Sequence, residues 1–211
     1  MPELANLSLF ITASLALLLV PGPAVLYIVA RSVDQGRKAG FVSVLGIEVG
    51  TLFHIAAAAL GLSALLASSA LLFDIVKYLG AAYLIYLGVR KFTSKDELAQ
   101  VNVQQRQNLG QIFKQGVVVN VLNPKTALFF FAFLPQFVDP SRGSVPLQIV
   151  ILGMLFALMA SVTDGLYALL AGTFGGWLKG NARFLRAQRY ITGSVYIGLG
   201  VTTALSSSNN K

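Results

Sequence analysis

The sequence Asn120-Val121-Leu122-Asn123-Pro124-Lys125 interrupts an apolar run that extends from Gly116 to Val138. A run of this length can cross a membrane as a helix, because about 20 apolar residues span a hydrocarbon core of about 30 Å. Proline breaks a helix interior by removing a hydrogen bond, whereas it fits the first position of a helix. Asn123 and Pro124 therefore predict an N-cap followed by a first helical residue, and so a membrane helix that stops and restarts.

A second interruption, Val20-Pro21-Gly22-Pro23, lies in the first apolar run of the chain. Gly22 and Pro23 form a weaker version of the same cap. The start of a helix presents unpaired N–H groups and the positive end of its dipole, which the membrane interior tolerates only beside protein or a water-filled cavity. Such positions favour an anionic group, so we expect a carboxylate-binding site at the two restarted helices.

The composition excludes several classes of protein. Hydrophobic residues make up 55% of the chain and charged residues only 11%, against about 25% charged residues in a typical soluble domain. There is no cysteine and only one histidine, which excludes thiolate and multi-histidine metal sites. The net charge is +8, but the basic residues form short clusters between apolar runs. They lack the basic face of a nucleic-acid-binding protein, so we expect a membrane protein with no nucleic-acid partner, metal or cofactor.

Six apolar runs predict an all-α polytopic membrane protein with six transmembrane helices. The runs cover residues 4–29, 39–67, 70–89, 116–138, 146–173 and 190–205. The polar segment 90–115 has no apolar core and is predicted to link two three-helix halves, residues 1–89 and 116–211. Because each half has an odd number of helices, the second half would be inverted relative to the first. The similar residue patterns of 77–89 and 189–201 support such a repeat.

The basic residues between the runs predict the orientation of the chain. Twelve Lys and Arg residues lie in alternate connections, and only two lie on the opposite face. Arg31, Arg37 and Lys38 belong to the first of the basic connections, between residues 30 and 38. By the positive-inside rule the basic connections face the cytoplasm, so both termini are expected in the periplasm and the linker in the cytoplasm.

Four ionisable side chains lie well inside apolar runs: Glu48, His54, Lys125 and Asp164. A charged side chain at the bilayer centre costs about 2.5–3.5 kcal/mol even on an insertion scale, so these groups are expected to face the bundle interior. Lys125 follows the cap and would add positive charge at the restarted helix. Glu48 and Asp164 are candidates for holding a substrate ammonium or carrying a proton, with a structural carboxylate as the alternative. His54 is expected to be a packing residue.

Small and amide side chains complete the candidate site. Gly46 and Gly50 flank Glu48 and would let a neighbouring helix approach closely. Asn120 and Asn123 are three residues apart, so their amides are expected on one face of the fourth helix.

The ordered set of these stretches resembles the lysine-exporter/homoserine-threonine-resistance (LysE/RhtB) family of bacterial amino-acid exporters. The resemblance covers nearly the whole chain, and it rests on residues 20–23, 46–50, 54, 78–84, 88, 120–125 and 134–137. It implies export of amino acids or their analogues across the bacterial inner membrane, driven by the proton-motive force. The positions that recur in the family are matched here by Pro21, Gly22, Pro23, Gly46, Gly50, Asn123, Pro124 and Lys125.

The residues and the resemblance together lead to one hypothesis, a secondary exporter that alternates access by rocking two inverted halves, and not an enzyme. The expected substrate-binding residues are Gly22, Pro23, Glu48, Asn120, Asn123, Pro124 and Lys125. Asp164 is the preferred proton carrier over Glu48, because the position of Glu48 is often an amide in such proteins and an amide cannot carry a proton. The expected partners are an amino acid, protons and the lipid bilayer, and homo-oligomerisation is left open.

Two other classes of function stay open at this point. A cation or metal exporter on the same scaffold would have to rely on oxygen ligands alone. A non-transporting membrane protein, such as an intramembrane enzyme, would need a catalytic Ser/His or paired-Asp motif, and the apolar runs contain none. Uptake rather than export also stays open, because direction depends on gradients and coupling.

Overall fold

The computed structural model describes residues 4–68 and 107–179, and parts of the segments 75–92 and 190–205. No strand occurs among these residues, so the expected all-α class is confirmed for them. Several residues of the predicted repeat at 77–89 and 189–201 lie outside the described part, as do residues 93–106 of the predicted linker. The inverted six-helix arrangement therefore stays a prediction.

Five α-helices and three short helical segments follow one another along the described chain. The α-helices are α1 (Leu4–Leu18), α2 (Pro23–Ser68), α3 (Leu109–Val121), α4 (Pro124–Leu128) and α5 (Val145–Lys179). Between α4 and α5 lie a π-helical turn, Phe129–Phe133, and two 3₁₀ turns, Leu134–Phe137 and Pro140–Arg142.

Both predicted helix breaks are confirmed. Helix α1 ends at Leu18 and α2 begins at Pro23, so residues 19–22 form the first break. At the second break, Asn123 accepts a hydrogen bond from the backbone N–H of Lys125 at 3.1 Å, and Pro124 is the first residue of α4. The helical segments on either side of this break are bent by 44°.

Helix α2 folds back on itself at Gly36, whose φ of 82° and ψ of 178° lie outside the helical region. A straight helix would hold Ser32 and Gly40 about 12 Å apart, yet a Cβ on Gly40 would collide with the Ser32 hydroxyl. Residues 23–35 and 37–68 are therefore two antiparallel arms, the first arm and the second arm of α2. A glycine fits this turn because positive φ costs it little.

The predicted connection between residues 30 and 38 is present, but it differs from the prediction in two respects. The chain stays helical up to a reversal at one glycine, Gly36. Arg31, counted as a connection charge, lies within the first arm and is only 6% exposed. The sequence shows only a proline at residue 23 and polar residues around Gly36. These features fit a loop and a sharp turn between two helices equally well, which explains the difference.

Two of the described helices, Pro23–Gly61 and Val145–Thr173, are long and apolar enough to cross a membrane. The bent pair Leu109–Val121 and Pro124–Phe137 adds a third if it forms one broken span. The helix Pro23–Gly61 includes the turn at Gly36, so the second arm of α2 must supply most of its membrane crossing. The length and composition of these helices agree with a membrane-embedded chain.

The second arm of α2 packs closely on α3 at two glycines. A Cβ on Gly46 would collide with the Phe113 carbonyl, and one on Gly50 would lie 2.7 Å from the Asn120 Cβ. Gly116 on α3 faces Gly46 directly, since its own added Cβ would lie 3.2 Å from the Gly46 Cα. This approach holds the end of α3, and with it the second break, against the second arm.

A buried aromatic cluster anchors the π-helical turn between α1 and α5. Phe129 and Phe130 are almost completely buried, and the Phe129 ring stacks on Phe156 of α5 at 4.1 Å. Phe10 of α1 lies 6.0 Å from Phe129 on another side. Burial of these rings fixes α1 and α5 beside the second break.

The turn before α5 carries a surface ion pair. Arg142 Nε lies 3.0 Å from Asp139 Oδ2. Hydrogen bonds from Ser141, together with the Arg142 charge, hold the pKa of Asp139 below its ordinary value, so this side chain is a carboxylate at neutral pH. Arg142 is one of the two basic residues predicted to lie on the periplasmic face, and its charge is offset by this partner.

Candidate functional site

The two helix breaks meet at the side chain of Lys125. The Lys125 ammonium is buried, and it donates hydrogen bonds to the carbonyl oxygen of Leu17, at 2.7 Å, and to that of Val20. These carbonyls lie at the C-terminal end of α1, where the helix dipole is negative and favours a cation. The first residues of α4 are thus tied to the last residues of α1.

Tyr167 is a residue that the sequence analysis did not single out. Its hydroxyl donates a hydrogen bond of 2.9 Å to the Leu19 carbonyl in the first break. Tyr167 lies three residues after Asp164 on α5, so the two side chains lie on neighbouring positions of one face. This spacing was the signal in the sequence that could have identified it.

Asn120 and Asn123 are both buried and hydrogen-bonded to each other. Asn123 Nδ2 donates to Asn120 Oδ1 at 3.3 Å, and Thr126 Oγ1 donates to the same oxygen at 2.9 Å. Asn120 Nδ2 donates to the Ile47 carbonyl at 2.7 Å and to Thr51 Oγ1 at 2.9 Å. The Asn120 amide is therefore fully engaged within the protein, where it connects the second break to the second arm of α2.

His54 is a packing residue, as predicted. Its Nε2 lies 2.9 Å from the Asn120 carbonyl oxygen, and its ring stacks on Phe130 with an interplanar angle of 8°. With one ring nitrogen bonded and the ring covered, His54 supports the end of α3.

A cavity of about 40 Å³ lies beside the two breaks. Its walls come from the end of α1, the first break, both arms of α2, the end of α3, α4 and α5. The lining residues are Leu17, Leu18, Gly22, Ala24, Val25, Ile47, Thr51, Asn120, Asn123, Lys125, Thr126, Phe156, Ala160 and Asp164. This volume holds water molecules but not an amino acid, so the cavity is too small for such a substrate in this conformation.

The first turn of α2 lies at this cavity. Ala24 and Val25 line it, and they belong to the first turn, where backbone N–H groups have no acceptor within the helix. The first N–H of this helix to find a helical acceptor is that of Leu26, which bonds the Gly22 carbonyl at 2.9 Å. An oxyanion in the cavity would meet these donors and the positive end of the helix dipole.

Asp164 faces the cavity from α5 and is only 4% exposed. No donor among the described residues forms a hydrogen bond with its carboxylate. Its electrostatic neighbours are Lys125 on one side and Glu48 on the other. A buried acid without donors, next to a buried cation, is equipped to bind a positively charged group or a proton.

Glu48 lies outside the cavity wall, on the second arm of α2. Ser161 of α5 is a polar neighbour of its carboxylate, and the Glu48 Oε1 atom is buried without a partner among the described residues. Pro23 and Pro124 also lie outside the cavity wall, at the first positions of α2 and α4. The structure thus brings Gly22, Asn120, Asn123, Lys125 and Asp164 to one cavity and leaves Pro23, Glu48 and Pro124 behind it. Among the described residues, no three His, Asp or Glu side chains lie together as a metal site would require.

Several curated proteins are similar to this chain over almost their whole length. An uncharacterized membrane protein of Bacillus subtilis is 33% identical over 95% of this chain and 99% of its own. A homoserine/homoserine lactone efflux protein of Salmonella typhimurium is 31% identical over 92% of this chain and 94% of its own. A leucine efflux protein of Salmonella choleraesuis is 29% identical over 92% of each. No solved structure matches the chain.

The family model described as LysE type translocator matches residues 15–207, which include both breaks, the cavity and all of the predicted site residues. The family resemblance expected from the sequence motifs is confirmed. With its apolar helices and broken spans, the chain is a membrane protein that belongs to the LysE type translocator family.

Proposed function

We propose that this protein exports amino acids or their close analogues across the bacterial inner membrane. The observation that carries the proposal is the placement of Lys125 and Asp164, a buried cation and a buried acid, at one cavity between two broken helices. A zwitterionic substrate needs a site of each sign. The names of the similar efflux proteins support the same substrate class.

In this proposal the substrate carboxylate binds at the start of α2. Ala24 and Val25 line the cavity, their backbone N–H groups would bind the carboxylate, and Gly22 would let it approach the backbone closely. Lys125 contributes its charge from the end of α1, where it also holds the two breaks together. Pro23 and Pro124 start the two helices, and Asn123 caps the second of them.

The substrate ammonium binds Asp164, which has no other hydrogen-bond donor among the described residues. Glu48 adds negative charge from behind it. Asn120 acts indirectly, since its amide is engaged by Ile47, Thr51 and Thr126. The site therefore selects for molecules that carry both an amine and a carboxylate.

The cavity must enlarge before an amino acid can enter it, because about 40 Å³ is too small. We assign this change to rocking of two inverted three-helix halves, residues 1–89 and 116–211, about the breaks. Both termini face the periplasm, and the linker 90–115 faces the cytoplasm. The Lys125 contact with α1 joins the two halves at the centre of this motion.

Export is coupled to the proton-motive force through Asp164, with Glu48 as the second acid. A proton on Asp164 would neutralise the group that holds the substrate ammonium, so protonation from the periplasm would favour release there. Loss of the proton to the cytoplasm would restore the empty site. In this cycle a proton and a substrate ammonium bind alternately to the Asp164 carboxylate.

Dipeptide feeding of an expressing strain tests the proposal. Cells that express the protein are given a series of dipeptides, and the amino acids that appear outside are identified over time. We expect faster appearance of specific amino acids than in the same strain without the protein. Equal appearance of every amino acid in both strains would refute amino-acid export.

A further inference from the structure

A second group of buried polar side chains lies away from the cavity, where the first arm of α2 packs on α3. Arg31 is 6% exposed, and its Nη2 donates to Gln115 Oε1 at 3.0 Å. Its guanidinium carbon lies 5.5 Å from the centre of the Tyr27 ring. The Tyr27 hydroxyl in turn donates to the Ile112 carbonyl at 2.8 Å. None of these side chains lines the cavity at Lys125.

Several polar atoms of this group are buried without a hydrogen-bond partner. They are Arg31 Nε, Arg31 Nη1, Gln35 Nε2 and Gln107 Oε1. Three of the four are donors, and Arg31 and Gln35 are four residues apart on one face of the helix. Gln35 is held in place by its own Oε1, which accepts from the Gln107 backbone N–H at 3.1 Å.

Arg31 also has no anionic partner in the part of the chain that the structure describes. The ion pair at Asp139 and Arg142 is the one found among the described residues, and it lies elsewhere. A buried guanidinium without a counter-ion is unfavourable, because it loses its hydration and gains no opposite charge. A buried charged donor of this kind is stabilised by a partner that supplies oxygen acceptors or negative charge.

We propose that Arg31, assisted by Gln35, binds the carboxylate of the transported molecule at the entrance on the cytoplasmic side. Arg31 Nε and Nη1 are free, and each lies beside Nη2 on one edge of the guanidinium. A carboxylate that replaces Gln115 at Nη2 would therefore meet two parallel donors, one for each of its oxygens. The basic residues around Gly36 place this end of α2 on the cytoplasmic side by the positive-inside rule. The inference rests on the proposed function, but it concerns a site distinct from the cavity.

The same residues hold the first arm of α2 against α3 in this conformation. Arg31 and Tyr27 are bonded to α3 through Gln115 and the Ile112 carbonyl. Separation of the first arm from α3 would break both contacts and expose the guanidinium to the cytoplasm. A carboxylate that arrives there would replace Gln115 as the partner of Arg31, so capture of the substrate and opening of the entrance are linked.

Transport measured from each face tests this site. Initial rates of L-leucine exchange are measured in everted and in right-side-out vesicles for Arg31→Gln, Arg31→Lys and Arg37→Gln. Arg31→Gln should raise KM at the cytoplasmic face about tenfold, the loss expected for a charge-assisted bond, with KM at the other face unchanged. Arg31→Lys should lie between, since it keeps the charge without the paired donors. Arg37 is an exposed arginine past the turn, so Arg37→Gln is the matched control and should leave both values unchanged.

An equal change of KM at both faces, or no change at either, would overturn the proposal. The first result would mean that Arg31 only clamps α2 to α3. The proposal would also be overturned if Arg31→Lys raised KM as much as Arg31→Gln. An anion site must retain part of its affinity when the positive charge is kept.

Direct binding of acetate separates this site from the proposed function. The thermal unfolding midpoint of the purified protein is measured in neutral-lipid nanodiscs, in sodium acetate and in sodium chloride at equal ionic strength. We expect acetate to raise the midpoint of the wild type and Arg37→Gln by more than that of Arg31→Gln. Equal shifts in all three, or none, would refute an anion site at Arg31 even if export is observed. If anionic lipid replaces acetate in producing the Arg31-dependent shift, the ligand is a lipid headgroup and the assignment to substrate is wrong.

Discussion

The Lys125 ammonium donates a hydrogen bond of 2.7 Å to the Leu17 carbonyl, although 108 residues separate them along the chain. A lysine that binds the carbonyls at a helix end usually belongs to that same helix. Here the cation comes from the start of another helix, α4. Its ammonium donates to carbonyls at the end of α1, and it also places positive charge beside the cavity. Any motion of the two breaks relative to each other must carry this contact or break it.

Lys125→Met should abolish export while leaving the protein in the membrane. The variant leaves the Val20 carbonyl without its Lys125 donor and the Leu17 carbonyl with only the Val20 N–H, at a cost of about 1–3 kcal/mol. It also removes a buried charge, which offsets part of that loss. Export and membrane abundance are measured together, with Lys114→Met as the control because Lys114 is exposed. Normal export by Lys125→Met would contradict the site at the two breaks.

Tyr167→Phe should weaken export without removing it. The change deletes only the hydroxyl that donates to the Leu19 carbonyl, and a hydrogen bond of this kind stabilises by about 0.5–1.5 kcal/mol. The first break should then hold its shape less well, so KM is expected to rise more than kcat falls. Transport kinetics in proteoliposomes measure the two separately. An unchanged KM would mean that the hydroxyl does not hold the cavity in shape.

Gly50→Ala should destabilise the protein by about 1–3 kcal/mol, as overpacking of a tight contact does. The added Cβ would lie 2.7 Å from the Asn120 Cβ, so α2 and α3 would have to separate. Gly61→Ala is the matched control, since a Cβ there meets nothing within 4 Å and alanine favours the helix by about 1 kcal/mol. Thermal unfolding of the purified variants compares them. A midpoint for Gly50→Ala equal to that of the control would show that the contact is not tight.

The sequence predicted the breaks because their cause is local. Asn123 and Pro124 specify a cap and a first helical residue through chemistry within three positions of the chain. The partner of Lys125 was not predictable in this way, because neither periodicity nor spacing relates residue 125 to Leu17. Dipole reasoning assigned Lys125 to the positive end of its own helix, whereas its ammonium lies at the negative end of α1.

Arg31 shows a different limit of sequence reasoning. It stands near Arg37 and Lys38, and by composition all three look like charges of one exposed connection. The reversal at Gly36 turns the first arm back against the second arm, with Arg31 on the face that α3 covers. Only the packing of α2 on α3 distinguishes a buried arginine from an exposed one.

The orientation can be checked with fusions at the C-terminus and in the linker. Alkaline phosphatase fused after Lys211 should be active, and the same enzyme inserted within 90–115 should be inactive, because basic connections stay in the cytoplasm. Removing Arg31 from the exposed charges does not alter this expectation, since eleven basic residues remain on that face against two. A green fluorescent protein fused after Lys211 that is fluorescent would contradict the predicted periplasmic C-terminus.

The last prediction separates the roles of the two acids. Asp164 lines the cavity and has Lys125 beside it, whereas Glu48 lies behind the wall and next to Ser161. If Asp164 exchanges a proton for the substrate ammonium, Asp164→Asn should abolish transport driven by an imposed pH gradient in proteoliposomes. Glu48→Gln should only weaken this transport. The glutamine amide can keep the contact with Ser161, and the substitution removes a charge that does not line the cavity.

Counterflow of labelled substrate without a gradient provides the control for folding in both variants. A purely structural acid would lose gradient-driven transport and counterflow together, since breaking a buried network destabilises the whole site. A proton carrier would lose the first and keep part of the second, because exchange of substrate for substrate needs no net proton movement. Full gradient-driven transport by Asp164→Asn, with Glu48→Gln inactive, would transfer the coupling role to Glu48.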